Sequence, residues 1–425
     1  MMKVQIHQAT IDFIDQPFLK PLQLSSGLIT KATEARVSVT FRVGENEATG
    51  FGSIYLSDLW AWPGATPDRV EKDKAMRGLC TKLAENLFSF CGDEALHPLE
   101  LGLRLHHALE NLAPEMPILA RVVCASPFDA AIHDAAGRAL QTSAFRFYDE
   151  DEVFPSVDAY FPNGGACAAI RKLFQSPLKK LDAWWIIGAA DDLEKTVYPA
   201  VKKSGIRSFK IKTLGRDNSE DARRTAEIFQ AARSWGIVSP VLSIDANEAN
   251  PNSAAVVDYL AQLEALDKDA YAALDYLEQP TSRDIVAYPQ DWRDVTKRKP
   301  VLLDEGLTSL DLLPLVEEQG WSGLALKTCK GHSFSLASAA WAHERGLQLA
   351  QQDLTNPGYS AIHSFLFAAH VPTINGVEIN SPQYTPAANE PWLPALSGLF
   401  QPQEGFHQLD KTDAFGFGSI LSPKL

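Results

Sequence analysis

The chain has 425 residues, 45% of them hydrophobic and 22% charged, which is typical of a folded globular protein with one large and one smaller domain. Its formal net charge of −14 argues against a nucleic-acid partner, because a field of that sign repels phosphate backbones. The sequence shows no signal peptide, no apolar run near the roughly 20 residues of a membrane span, and no paired cysteine motif, so we expect a cytoplasmic protein without a membrane partner.

The first 150 residues predict a separate α+β unit. The segments KVQIHQATIDFI and ARVSVTFRV alternate apolar and polar positions, which is typical of strands. The segment KAMRGLCTKLAENLFSF has a helical pattern. The segment SPFDAAIHDAAGRAL indicates a buried helix that begins at Ser126 and Pro127.

Short apolar runs alternate with helical segments from about residue 181. The predicted strands are DAWWIIG, SFKIK, VLSIDAN, DYLEQP, VLLDEG, GLALKTC, LQLAQQD and GVEIN. Repeated β-then-α units imply a parallel sheet, and eight of them favour a closed barrel over residues 181–385. Residues 151–180 read as an insertion or linker. The tail from about 386 to 425 is expected to pack back on the first domain.

Charged residues stand at the ends of five successive predicted strands. They are Lys210, Lys212, Asp245, Glu278, Asp304 and Lys327. The carboxyl ends of barrel strands meet on one face, where catalytic residues lie, whereas interior strands are otherwise apolar. A single acidic residue here could be a helix cap or a surface ion-pair partner. Charged residues at the same point of five successive strands indicate a functional site.

The three acidic residues predict one divalent metal. Without a cation, the carboxylates of Asp245, Glu278 and Asp304 would repel one another and their pKa values would rise. Magnesium prefers oxygen ligands and keeps positions open for substrate. Lys210 and Lys212 point the same way from one strand, and Lys327 lies nearly opposite. Lysines on two sides of a metal-bound substrate suit removal of a proton next to a carboxylate through an enediolate.

These motifs resemble those of the enolase superfamily. They are FKIK (209–212), SIDANE (243–248), LEQP (277–280), LLDEG (302–306) and LALKTCKG (324–331), and their order is similar to that of the muconate-lactonizing-enzyme subgroup. The resemblance implies an α/β fold, a modified (β/α)7β TIM-like barrel under an N-terminal α+β capping domain. It also implies a homo-oligomer with one Mg2+ per subunit.

The resemblance further implies roles for individual residues. Lys212 and Lys327 would be the acid/base residues on the two faces of the substrate, with Lys210 supporting Lys212. Six other residues are expected beside the metal ligands or against the substrate, and these are Asn247, Glu305, His332, Gln352, Asp353 and Asn380. The seventh predicted strand ends without the histidine that the mandelate-racemase subgroup would need, and residues 330–333 replace the family's paired glycines.

The expected function is that of an isomerase, a racemase or epimerase acting on a small carboxylate. Two alternatives stay open. The polar strand ends at Gln352, Asp353 and Asn380 suit a polyhydroxylated substrate, which favours a lyase such as an acid-sugar dehydratase or a cycloisomerase. The altered loop after Lys327 also fits a metal-dependent binding protein without turnover.

Overall fold

A computed structural model describes residues 3–24, 27–43, 46–92, 94–409 and 415–418. It begins with an antiparallel sheet whose strands follow one another in chain order. These strands are β1 (Gln5–Leu24), β2 (Gly27–Val43) and β3 (Asn46–Leu56). Alternate residues of β2, including Val37, Val39 and Phe41, are buried, as the period of two predicts.

Four helices follow the sheet. They are α1 (Asp58–Ala61), α2 (Arg69–Cys91), α3 (Pro98–Ala108) and α4 (Ile118–Ala139). Of these, α2 and α4 pack against the strands of the sheet. Helix α4 crosses β3 at two glycines. A Cβ at Gly50 would lie 2.0 Å from Ala135 N, and one at Gly52 would lie 2.1 Å from Pro127 O. Only glycine therefore allows the helix backbone to approach the strand this closely.

The predicted start of α4 at Ser126 and Pro127 is wrong. The helix begins at Ile118 and continues through Pro127. Proline has no N–H to give to the carbonyl four residues earlier, which normally ends or kinks a helix. Here the hydroxyl of Ser126 donates to Val123 O at 2.9 Å, so the carbonyl left free by the proline keeps a partner.

The second half of the chain alternates strands and helices. After β4 (Lys180–Asp182), seven parallel strands form one sheet in chain order, and these are β5 (Trp184–Ile187), β6 (Ser208–Lys212), β7 (Val241–Asp245), β8 (Leu274–Glu278), β9 (Val301–Leu303), β10 (Gly323–Lys327) and β11 (Gln348–Gln352). The helices are α5 (Gly165–Leu173), α6 (Tyr198–Ser204), α7 (Asn218–Ser234), α8 (Ser253–Leu266), α9 (Lys268–Ala273), α10 (Arg293–Thr296), α11 (Leu313–Glu318), α12 (His332–Glu344), α13 (Gly358–His370), α14 (Ser381–Tyr384) and α15 (Ser397–Phe400).

The eighth predicted strand connects the two edges of this sheet. Val377 makes a parallel bridge with Ala183, next to β5, and Glu378 makes one with Gln352 at the end of β11. The parallel sheet curls into the TIM-like barrel that the β-then-α repeats predict, below the antiparallel cap. Among the described residues, no helix is long and apolar enough to cross a membrane.

Residues of the predicted linker (151–180) and of the predicted tail (386–425) contact other elements of the fold. Within residues 151–180, α5 packs against α12. In the tail, β12 (Phe406–Gln408) pairs with β4, and Phe417 N donates to Asp134 Oδ1 of α4 at 2.8 Å. Residues 410–414 and 419–425 lie outside the described part of the chain. The predicted packing of the tail on the first domain can therefore be followed only up to residue 409 and over residues 415–418.

Candidate active site

The interior of the barrel has an apolar layer beneath a charged one. The apolar layer consists of Trp184, Tyr276, Leu302, Ala325 and Ala350. Side chains two positions apart share a face of a strand. Glu278, Asp304, Lys327 and Gln352 each follow a member of the apolar layer by two residues. The strand period therefore places these polar groups one layer above the apolar residues, at the carboxyl end of the barrel.

The register of the sheet brings the charged groups side by side. Asp245 is the Cα partner of Lys212 on one side and of Glu278 on the other. Lys327 is the partner of Gln352. Residues that are far apart in the sequence thus become neighbours at one mouth, which is the arrangement that the strand-end pattern predicts.

Lys210 lies at the centre of the carboxylates. Its Nζ is 2.8 Å from Glu278 Oε2, 3.2 Å from Asp245 Oδ2 and 2.9 Å from Glu378 Oε2. The side chain is almost fully buried. A buried lysine held by three carboxylates carries a positive charge at the centre of the site and separates the acidic groups.

The two predicted acid/base lysines approach the carboxylates from different strands. Lys212 Nζ donates to Asp245 Oδ2 at 2.5 Å and to Asn247 Oδ1 at 3.0 Å. Lys327 Nζ donates to Asp304 Oδ2 at 2.7 Å and to Glu278 Oε1 at 3.2 Å. The three acidic residues thus form a row, with Lys212 at the Asp245 end and Lys327 at the Asp304 end.

Charge in this network shifts several pKa values. Burial alone would lower the pKa of Lys327, but Asp304 and Glu278 outweigh it and hold the pKa well above its usual value. Burial would raise the pKa of Asp304, yet Lys327 and Lys330 hold it below its usual range. Lys327 and Asp304 therefore stabilise each other in their charged forms.

Glu305 joins the barrel to the cap. Its Oε1 accepts from Trp60 Nε1 at 2.8 Å and from Asn247 Nδ2 at 3.1 Å. Burial, together with the charge of Asp304 and Asp245, raises the pKa of Glu305 to about 8. Trp60 also places its ring centroid 5.5 Å from Lys327 Nζ. A cap residue therefore touches both the expected metal site and a catalytic candidate.

A cavity lies between the cap and this charged layer. The cap contributes a mainly apolar wall that includes Phe18, Leu22, Ile29, Tyr55 and Trp60, together with the polar side chains of Lys31, Ser57 and Asp58. The barrel contributes a polar floor that includes Lys210, Lys212, Asp245, Asn247, Lys327, Asp353, Glu378 and Asn380. The cavity is therefore suited to a molecule with a charged end toward the barrel and a less polar part toward the cap.

Two candidate residues are held by contacts within the protein. His332 is fully buried, and its Nδ1 lies 2.9 Å from His363 Nε2. It does not line the cavity. Asp353 does line it, but its carboxylate accepts backbone N–H bonds from Thr355, Asn356 and Asn380. These hydrogen bonds connect the loops that follow the seventh and eighth strands of the barrel.

Lys330 and Glu378 belong to the charged network but were not among the predicted site residues. Lys330 follows Lys327 through a 3₁₀ turn (Thr328–Lys330), and its buried Nζ is 2.6 Å from Asp304 O and 3.1 Å from Asp304 Oδ1. Glu378 pairs with Lys210. The available signals were a second lysine three residues after Lys327 and an acidic residue at the end of the eighth predicted strand.

The donor atoms of the site suit a hard cation. In the part of the chain that the structure describes, no three acidic, histidine or cysteine side chains stand close enough together to hold a metal as they are placed. Lysine ammonium groups lie between Asp245, Glu278 and Asp304 instead. The three carboxylates are buried and carry only oxygen donors, which are the ligands that magnesium prefers.

Comparison with known proteins places the chain in a family. Residues 192–418, slightly more than half of the chain, match the family model described as enolase C-terminal domain-like. No curated protein matches the sequence.

Solved structures match the chain over nearly its whole length. A mandelate racemase/muconate lactonizing protein from Herpetosiphon aurantiacus has a TM-score of 0.68 at 19% identity, with 97% of this chain and 98% of that chain covered. A muconate lactonizing enzyme from Klebsiella pneumoniae has 0.65 at 18%, covering 99% and 100%. A dipeptide epimerase from Enterococcus faecalis complexed with Mg and L-Leu-L-Tyr has 0.66 at 16%, covering 97% and 99%. The chain therefore belongs to the enolase superfamily, as its strand-end motifs predict, and is an enzyme of that superfamily.

Proposed function

We propose that this enzyme uses Mg2+ to remove a proton next to the carboxylate of a small substrate, and that it is a racemase or epimerase. The observation that carries the proposal is the row of three buried carboxylates with Lys212 at one end and Lys327 at the other. A related protein, the dipeptide epimerase from Enterococcus faecalis, is complexed with Mg and a dipeptide.

Asp245, Glu278 and Asp304 would hold the metal. Bound there, magnesium would supply positive charge that stabilises an enediolate and offsets the carboxylates that raise the pKa of Lys327. Lys210 contacts the carboxylates of Asp245 and Glu278 and holds both in position. Asn247 would orient Lys212, because its Oδ1 accepts from Lys212 Nζ.

The two lysines carry the proton transfers. One lysine, as a neutral amine, takes the proton from the α-carbon, and the electron pair of the broken C–H bond enters the enediolate. The lysine on the other face, as an ammonium, then gives its proton to the same carbon. The configuration is inverted, and the two lysines have exchanged protonation states. The reverse reaction uses them in the opposite order.

The test of this function is exchange of the α-proton with solvent. The purified protein is incubated in deuterated water with Mg2+ and panels of N-acyl amino acids, dipeptides and hydroxy acids, and deuterium at the α-carbon is followed by NMR. We expect exchange with at least one carboxylate, loss of exchange with EDTA, and loss of enantiomer interconversion in Lys212→Ala. Lys297→Ala is the control, because Lys297 pairs with Asp294 on the surface. Absence of exchange across all panels would contradict the proposal.

A lyase is the second candidate. Glu378 and Asn380 line the cavity beside Lys210, and such polar groups can bind the hydroxyl groups of a sugar acid. A dehydratase would convert sugar acids into 2-keto acids, and a cycloisomerase would form a lactone from an unsaturated diacid. Appearance of either product, without α-proton exchange in the substrate panels, would replace the racemase by a lyase.

The alternative of a binding protein without turnover is separable from both enzymes. It predicts that a carboxylate binds in the presence of Mg2+ and that neither exchange nor elimination occurs in the wild type. Binding is measured by calorimetry with the same panels. Retained binding in Lys212→Ala, with no product from any wild-type reaction, would favour this alternative.

The proposed homo-oligomer is tested separately from the chemistry. We infer it from the resemblance to the superfamily, and we expect light scattering after size-exclusion chromatography to give a mass that is a multiple of the 46.6 kDa chain. A mass equal to one chain over a range of concentrations would contradict it. A cytoplasmic location is likewise a prediction, and fractionation of the source cells is its test.

A further inference from the structure

Gln352 stands between a catalytic lysine and a candidate metal ligand. Its Oε1 accepts from Lys327 Nζ at 2.7 Å, and its Nε2 donates to Glu278 Oε2. The side chain is fully buried, and Gln352 is absent from the residues that line the substrate cavity. Its amide therefore uses its acceptor and a donor on protein groups and does not face the substrate.

The backbone around Gln352 is held on every side. Gln352 pairs with Lys327 in the sheet and bridges to Glu378 on the opposite edge. The preceding residue, Gln351, donates its backbone N–H to Asn375 Oδ1 at 3.0 Å, and its carbonyl accepts from Asn375 Nδ2 at 3.1 Å. The amide of Gln352 is thus presented from a strand end that has little freedom to move.

The contacts of Lys327 fix the direction of its side chain. Its Nζ donates to Gln352 Oε1, Asp304 Oδ2 and Glu278 Oε1, and Gln352 is the neutral acceptor among these three. Because the amide of Gln352 is itself held by its bond to Glu278, the place of its Oε1 is determined, and with it the place of Lys327 Nζ.

We propose that Gln352 is a positioning residue that fixes Lys327 Nζ at its end of the carboxylate row. The inference rests on the proposed function of Lys327. It differs from the expectation that Gln352 binds substrate, because both ends of its amide are already engaged within the protein.

The test compares Gln352→Met with Gln348→Met. Methionine keeps the length of the side chain and removes both hydrogen bonds. Gln348 lies at the other end of the same strand and is half-buried, so it controls for the substitution itself. Lys327→Ala first identifies the enantiomer whose exchange depends on Lys327. In Gln352→Met we expect exchange of that enantiomer to fall about 100-fold, since a small misplacement of a reacting group has an effect of this size.

Exchange of the other enantiomer separates positioning from a general structural effect, and it should change little in Gln352→Met. Exchange is measured at saturating Mg2+, because the substitution also removes the hydrogen bond to Glu278. Equal loss for both enantiomers, or unchanged exchange for both, would overturn the proposal.

A structural measurement decides the proposal even if no substrate exchanges in the wild type. In crystal structures of the Mg2+-loaded proteins, Lys327 Nζ should lie within hydrogen-bond distance of Gln352 Oε1 in the wild type and should be displaced in Gln352→Met. The same position of Nζ in both proteins would overturn the proposal. Failure of the exchange reaction alone would count against the proposed function and not against this contact.

Discussion

Lys330 is a buried cation placed directly against a candidate metal ligand. It contacts both the backbone carbonyl and the side chain of Asp304, while Lys327 takes the other carboxylate oxygen. In a buried ion pair, removal of one partner leaves the other charge buried with fewer groups of opposite charge to stabilise it. Lys330 therefore helps the acidic site to stay folded when no metal is bound.

This arrangement predicts how Lys330→Met responds to magnesium. In EDTA the free energy of unfolding should fall by about 3 kcal/mol, the cost of leaving a buried charge with fewer partners. Added Mg2+ should recover more stability in the variant than in the wild type, because the metal supplies the missing positive charge. Urea denaturation with EDTA and with Mg2+ measures both effects.

The matched control is Lys297→Met, at an exposed pair with Asp294. Surface pairs of this kind contribute about 0–1 kcal/mol, and no magnesium effect is expected there. If Lys330→Met and Lys297→Met lose the same stability, or if Mg2+ stabilises Lys330→Met no more than the wild type, the role assigned to Lys330 is incorrect.

At the scale of elements, the contact between β3 and α4 depends on glycine. Gly52→Ala would place a Cβ against the carbonyl of Pro127, where backbone atoms on both sides leave no room. We expect a loss of about 3 kcal/mol or more in the free energy of unfolding, since overpacking at a close contact is costly.

Gly78→Ala in α2 provides the opposite control. Its added Cβ would meet no atom within 4 Å, and alanine favours helix over glycine by about 1 kcal/mol. Guanidinium denaturation of both variants measures the difference. Equal stability of Gly52→Ala and the wild type would show that the two elements can separate without cost.

The elements also show what the sequence can and cannot predict. The cap strands were predictable because burial imposes a period of two, and the barrel strands because short apolar runs end in charged residues such as Asp245, Glu278 and Asp304. The start of α4 was not predictable from Pro127, because the compensating bond comes from a rotatable Ser126 hydroxyl. His332 follows Lys327 closely in sequence, but helix α12 turns its side chain toward His363 and away from the cavity.

At the scale of the whole molecule, buried neutral histidines link stability to pH. His97 caps α3, where its Nδ1 accepts from Leu99 N at 3.1 Å and its Nε2 lies 3.1 Å from Phe147 O. Burial lowers the pKa of His97 to about 4 and that of His407 to about 4. Both histidines remain neutral in the folded protein at pH values where an unfolded histidine is charged.

The expected pH effect follows from this difference. The pKa of an unfolded histidine is about 6.5, so below that pH the unfolded chain binds protons that the folded chain excludes. Stability from each histidine is therefore present above pH 6.5 and falls toward pH 4, with a loss of about 2 kcal/mol by pH 5. Asp353 acts in the opposite direction, because burial raises its pKa to about 7.

Comparison with His97→Asn isolates one histidine from these opposing effects. Asparagine keeps a capping acceptor for α3 and removes the titrating group. Between pH 7 and pH 5, the free energy of unfolding should fall by about 2 kcal/mol less in the variant than in the wild type. An identical change in both proteins would show that His97 takes up its proton without cost.

The most direct test of the central claim is α-deuterium exchange measured separately for each enantiomer in Lys212→Ala and Lys327→Ala, both loaded with Mg2+. Because the lysines lie at opposite ends of the carboxylate row, each variant should lose exchange of one enantiomer and keep that of the other, in mirrored fashion. If both variants lose exchange of the same enantiomer, or if both retain exchange of both, the two lysines do not act on opposite faces of the substrate.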